Sequence, residues 1–286
     1  MRVSLFLFAL LFQQTFAVAQ TVDLPSKSPG AQTALTIGYT HIEVDFSAPS
    51  VRDREIWGGL IPYDTLWRAG ANAATTVAFN TDVQVAGQPV EPGKYALFII
   101  PRKDSTWTVI LNSDTSLRGT SGYRPEQDAL RVEIRPKFAR TAHQEMLRYE
   151  VVRQNIENGY ILLSWEKLRL YLPVKVETMD RAIAEIEEAL AATPDEGEWE
   201  VYLKAADFLF WSGAVAPALT YAQKSIDQQP TAEGYWLMAR IKAGQNAYQA
   251  ALEATSEALK LADEDFKARY GNTIRKQRTA WEAGER

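Results

Sequence analysis

The residues best suited to chemistry crowd into one irregular stretch: Arg52, Arg54, Trp57, Trp67, Arg68 and Asn72. A guanidinium is a permanently charged fork of N–H donors, and an indole offers a flat face and one further donor. Together they can grip a carboxylate, a phosphate, or a sugar ring stacked on the indole. The competing assignment is that Trp57 and Trp67 plug one end of a sandwich while the arginines pair with Asp53, Glu55 or Asp64. A sparser second group contains Trp107, Tyr123, Arg124, Asp128 and Arg131, of which Trp107 fits a core equally well. The ligand-binding set expected from both groups is Arg54, Trp67, Arg68, Asn72, Tyr123, Asp128 and Arg131.

Other chemistries find little footing. His41 and His143 are the two histidines, there is no cysteine, and neither histidine has a metal-ligand partner at suitable spacing, so no metal site is expected. No Gly-x-Ser-x-Gly elbow surrounds a serine, and Ser121-Gly122 lies outside a strand-to-helix context. Phosphate-binding and dinucleotide-binding glycine loops are absent, so no cofactor is expected. Glycoside cleavage would need two facing carboxylates, and Asp45, Glu55, Asp64, Asp104, Asp114 and Asp128 are the candidates. Asp104 and Asp114 sit beside serines, as turn residues do. No catalytic residue is assigned on this basis. A net charge of -5 argues against a nucleic-acid partner, which requires a basic surface to displace counterions.

These residues must be positioned by something, and the chain changes character along its 286 residues. Residues 1–19 read as a signal peptide: Arg2, an apolar run from Val3 to Phe12, and Ala17-Val18-Ala19 as the cleavage site. That run is too short to span a bilayer, so no integral membrane segment is expected in the mature chain, and the protein is placed in the periplasm or outside the cell. Residues 20–30, with Pro25, Pro29 and Gly30, read as a linker. Over residues 31–176 strand periodicity dominates. Ile42, Val44 and Phe46 alternate with Glu43 and Asp45; Val77 with Phe79 and Val83 with Val85 follow, and then the turn Ala86–Pro89. Tyr95 to Ile100 is apolar on both faces and reads as a central strand. Further strands are expected from Trp107, near Leu130–Ile134, Leu147–Val152, Tyr160–Trp165 and Leu168–Val176. Such runs separated by turn residues predict an antiparallel β-sandwich. Two aperiodic stretches, Ala48–Asn72 and Ser113–Gln127, are long enough to be functional or to cover an open end.

From 177 to 286 the period becomes helical. Met179, Ile183, Ile186 and Leu190 share one face. From Trp199 onward the spacing of Tyr202, Ala205, Ala206, Leu209, Ala218, Ala222, Ser225 and Pro230 resembles a tetratricopeptide repeat, and Trp236 and Ala239 stand one repeat later. Asp263–Trp281 is expected to be a capping helix. The fold class is therefore α+β by segregated domains, an N-terminal antiparallel β-sandwich and C-terminal α-helical hairpins.

Several stretches resemble one family. They are Ser47-Ala48-Pro49-Ser50-Val51, Arg54, Trp57-Gly58, Leu60-Ile61-Pro62-Tyr63 and, most specifically, Trp67-Arg68-Ala69-Gly70-Ala71-Asn72. Pro92 to Phe98, Trp107 to Asn112, and Tyr123 with Asp128 and Arg131 extend the likeness. Over about residues 28–176 the chain resembles the domain of unknown function 2911 family, whose members, typical of Bacteroidetes-like bacteria, combine a signal peptide, a β domain and often a helical-repeat tail. The resemblance implies no activity. The family pattern places an acid after the Asn, where this chain has Ala73, so any role resting on that carboxylate is missing here.

The function expected from these readings is an exported, non-catalytic binding or interaction protein. Its β domain would take a small polar or anionic ligand, or a glycan, and its helices a partner protein. The alternative is an envelope or extracellular glycan hydrolase using Asp64, Asp104 or Asp128 with Arg68 stabilising charge.

Overall fold

The structure, a computed structural model, describes residues 24–285 apart from Pro194. The signal peptide expected at 1–19 lies outside the described residues. Twelve strands come first: β1 (Gly30–Ile37), β2 (Thr40–Ser47), β3 (Thr75–Phe79), β4 (Val83–Val85), β5 (Gln88–Val90), β6 (Gly93–Ile100), β7 (Trp107–Asn112), β8 (Asp128–Ile134), β9 (Lys137–Phe138), β10 (Gln144–Arg153), β11 (Asn158–Glu166) and β12 (Leu168–Val176). They form two sheets, ordered β1-β2-β3-β6-β7-β8 and β10-β11-β12-β4-β5, with β9 on β12. Every named pairing is antiparallel. The inward residues of both sheets join one core, in which Ile42, Val44, Leu97, Val109, Leu163 and Leu172 are buried together.

Local sequence explains most of this order. In β2 the alternation puts Ile42, Val44 and Phe46 inside and leaves Glu43 and Asp45 partly exposed. Ala86 and Gly87, both at positive φ, make the two-residue turn between β4 and β5. β6 is buried on both faces, as its composition predicts. Leu97 and Ile99 enter the shared core, while Ala96 and Phe98 lie under Leu117 of the 113–127 stretch. That stretch is thus a lid on the outer face of the first sheet. Three short or marginal strands are not apparent from periodicity. β1 is an edge strand with most residues exposed, so it needs no apolar alternation. β5, part of the expected turn, pairs through an edge position where Pro89 is tolerated. β9 is two residues long.

Six α-helices follow among the described residues: α1 (Met179–Ala192), α2 (Glu198–Trp211), α3 (Val215–Gln228), α4 (Ala232–Gly244), α5 (Tyr248–Leu261) and α6 (Glu264–Glu282). α2 packs on α3 and α4 on α5 as hairpins. Ala206, Ala218 and Ala222 are fully buried in the first hairpin, and Ala239, Ala251 and Ala258 in the second, because small side chains let helix backbones approach. Asp263 caps α6 by accepting from the Phe266 N–H at 2.7 Å. α1 keeps its apolar stripe less covered than the pattern suggests, with Ile183 exposed. No helix among the described residues is long and apolar enough to cross a membrane. The junction is fixed by Thr178, whose buried hydroxyl donates to the Ile156 carbonyl at 2.7 Å beside Gly38.

Candidate functional site

Residues 48–72 form a strap across one end of the two sheets. Val51 N–H donates to the Glu145 carbonyl and Leu147 N–H to the Pro49 carbonyl, fastening the strap to β10. Trp67 and Ile99 exchange two backbone hydrogen bonds of 2.8 Å, fastening its other end to β6. The strap therefore ties the two sheets together. Its course demands unusual backbone: Arg52, Asp53, Asp64, Ala69 and Asn72 all have positive φ. Such conformations survive only where the surroundings over-determine them, and they concentrate at functional sites.

The strap's tryptophans belong to the core. Trp57 and Trp67 are buried, their rings 5.7 Å apart, and both lie within 5.9 Å of the ring of Trp165 on β11. Trp67 donates its indole N–H to the Gly70 carbonyl at 3.1 Å. Trp107, also fully buried, donates to the Arg102 carbonyl and is a core residue. Among the described residues Trp57 and Trp165 have no partner for their buried indole N–H groups.

The arginines divide differently from the expectation that they pair with nearby acids. Arg54 donates Nε to the Val51 carbonyl at 3.0 Å and Nη2 to the Ser50 carbonyl at 2.6 Å. Arg52 donates Nη2 to the Lys27 carbonyl at 2.9 Å. Asp64 lies 3.8 Å from Arg102 instead. Arg68 is half-buried, and its Nε is buried without a partner among the described residues. Asn72, exposed at φ 58, donates to the Ser28 carbonyl at 3.1 Å and to Ser47 Oγ at 3.3 Å, so its amide pins the incoming chain to the strap.

A cavity of about 340 Å³ opens beside Arg68, between the strap, Lys27–Ser28 and Trp165. Among the described residues its walls carry four cationic side chains, Lys27, Arg52, Arg54 and Arg68, and no carboxylate. Glu145, outside the wall, is held below the usual carboxylate range by the Arg52 N–H and by His143. Arg54, Trp67 and Arg68 of the expected set meet here, and Asn72 holds the wall from outside.

Tyr123, Asp128 and Arg131 do come together, but elsewhere. Tyr123 packs over Phe98, on the opposite face of β6 from the tryptophan cluster. Its hydroxyl donates to the Asp128 carboxylate at 2.7 Å, and Arg131 donates to both at 2.8 and 2.9 Å. Asn112 adds a bond to Asp128 at 2.9 Å. Burial and the Asp128 carboxylate push the Tyr123 hydroxyl up to about 12. With its groups matched to one another, the trio is a clamp on the start of β8 rather than part of the Arg68 cavity.

Lys27, Ser28 and Trp165 are among the cavity residues that sequence reasoning leaves out of the site. Lys27 precedes the first strand, and Trp165 reads as one more apolar strand residue, so neither carries a local signal. Residues 28–174, a little over half of the chain, match the family described as "Protein of unknown function (DUF2911)". The chain belongs to that family. The matched span contains the strap, β11 and every residue of the cavity wall except Lys27. No curated protein and no solved structure matches the chain. Membership in the DUF2911 family thus identifies the β domain as the shared unit and leaves its chemistry to the site.

Proposed function

We propose that this DUF2911 protein is an exported, non-catalytic binding protein whose β domain takes a small anionic ligand in the Arg68 cavity. The observation that carries this reading is the wall itself: cationic side chains without a carboxylate, around a buried guanidinium nitrogen that has no partner. A buried donor left unmatched costs about 1–3 kcal/mol, which an anion would recover. Export rests on the N-terminal Arg2, the apolar run and Ala17-Val18-Ala19, and places the protein in the periplasm or outside the cell.

The helical tail, read as tetratricopeptide-like, is assigned to a partner protein. A groove of about 460 Å³ runs along α2 and α4 and is lined by Phe208, Trp211, Trp236 and Arg240, with Trp211 60% exposed. The hydrolase alternative has less support. Asp128 is engaged by Tyr123 and Arg131, Asp104 occupies a positive-φ turn, and none of Asp64, Asp104 and Asp128 borders the Arg68 cavity.

The test is a thermal-shift screen of the mature chain against small anions and glycans, repeated with Arg68→Ala. Anions should raise the midpoint of the wild type and leave the variant unmoved. Equal shifts in both proteins would end the proposal.

A further inference from the structure

The hydrogen bonding around the Arg68 cavity is one-sided, and the missing side describes the ligand. The carbonyls of Lys27, Ser28, Pro49, Ser50 and Gly70 each already accept a bond from the protein. Among the described residues no Asp, Glu, Asn or Gln side chain borders the cavity. Two of the residues that line it carry a buried donor without a partner among the described residues: Arg68 at Nε and Trp165, only 1% exposed, at its indole N–H. A neutral sugar hydroxyl donates as well as accepts, and for its proton the wall offers only the Ser28 and Ser50 hydroxyls and the second lone pairs of carbonyls already engaged. An acceptor-only group matches both donors without adding a donor of its own.

Shape narrows the class further. A guanidinium edge presents two nearly parallel N–H groups, which fit the two oxygens of a planar carboxylate. Leu60, Ile61 and Trp67 supply apolar wall, which favours a ligand with a carbon skeleton over a fully hydrated inorganic anion. The volume of about 340 Å³ lies at the small end of ligand pockets.

Building on the anion-binding reading above, we infer that the cavity takes a carboxylate carried on a compact carbon skeleton, gripped side-on by Arg68 with the Trp165 N–H as a further donor. The carboxylate can belong to an acidic sugar or to a free organic acid.

The experiment uses the mature full-length chain, with calorimetry and tryptophan fluorescence as readouts. The ligands are glucuronate, its neutral methyl ester, cyclohexanecarboxylate, glucose, inorganic phosphate and sulfate. At least one of the two carboxylates should bind, and which one does assigns the source, sugar or organic acid. The ester and glucose should not bind. Arg68→Lys, which keeps the charge and loses the fork, should weaken carboxylate binding about tenfold or more. Trp165→Phe, which keeps a ring and loses the donor, should weaken it severalfold, and Arg68→Lys carries the test if that core variant fails to fold. Phosphate or sulfate binding as tightly as the carboxylates, and lost in Arg68→Ala, would overturn the carboxylate assignment while leaving anion binding intact. Absence of any Arg68-dependent binding would remove both.

Discussion

Arg54 and Arg68 carry the same group in the same strap, yet their surroundings give them different work. The Arg54 guanidinium is spent on the Ser50 and Val51 carbonyls, where it closes a turn that Arg52 and Asp53 enter at positive φ. Arg54→Ala should therefore lower stability by about 1–2 kcal/mol in a denaturant titration, through lost hydrogen bonds to a charged donor. Arg68→Ala should leave stability nearly unchanged, because removing an unmatched buried Nε offsets the packing lost with its half-buried stem. Tyr123 gives a prediction in pH. Its hydroxyl is raised from 10.0 to about 12 by burial and by Asp128. Below about pH 10 the phenol is neutral in both folded and unfolded chains, and its contribution is complete. As pH climbs toward about 12 only the unfolded chain gives up the proton, so stability falls across that window. Tyr123→Phe should make that alkaline fall shallower. It should not abolish it, since burial raises the Tyr149 hydroxyl in the same direction.

At the scale of elements, two aperiodic stretches do opposite jobs on the two faces of β6. The strap at 48–72 closes the shared core and bounds the cavity, while 113–127 seals the outer face with Leu117 over Ala74, Phe98 and Ile110. Leu117→Ala should cost about 2–3 kcal/mol by chemical denaturation and leave ligand-induced shifts intact, because the lid and the cavity lie on opposite faces. Gly38 ties the β domain to the helices. It has φ +56, and an added Cβ would collide with the Thr178 side chain. Gly38→Ala should thus destabilise the junction, read as a loss of hydrogen-exchange protection at the start of α1.

Across the whole molecule, polar contacts join the two parts, among them the Met179 N–H donating to Glu157 at 3.1 Å. Besides Thr178, Tyr39 donates to Glu185 at 3.0 Å and stacks under Arg181, and Arg153 sits 5.6 Å above the Trp211 ring. Exposed polar contacts of this kind contribute little each. Calorimetry should resolve two unfolding transitions, and an anion that fills the cavity should raise only the one belonging to the β domain. A single cooperative transition shifted as a unit would contradict that independence. The tail's Trp211 touches both the groove and Arg153, so Arg153→Ala should lower the helical transition slightly without changing ligand binding.

Periodicity alone was enough to establish two segregated domains, the central β6 and the helical hairpins, because burial in a sheet or a helix leaves a repeating local mark. The Trp67–Asn72 stretch stood out by residue type, but its spacing left open whether it packs or binds. Which of those groups remained open was decided by the tertiary structure. Trp67 turned its N–H onto Gly70, Arg54 took two loop carbonyls, Tyr123 and Asp128 satisfied each other beneath Arg131, and Arg68 was left facing a cavity completed by Lys27 and Trp165. Hydrogen-bond partners separated by dozens of residues leave no trace in local spacing. Only the closed fold determines which donors are matched and which are left without a partner among the described residues.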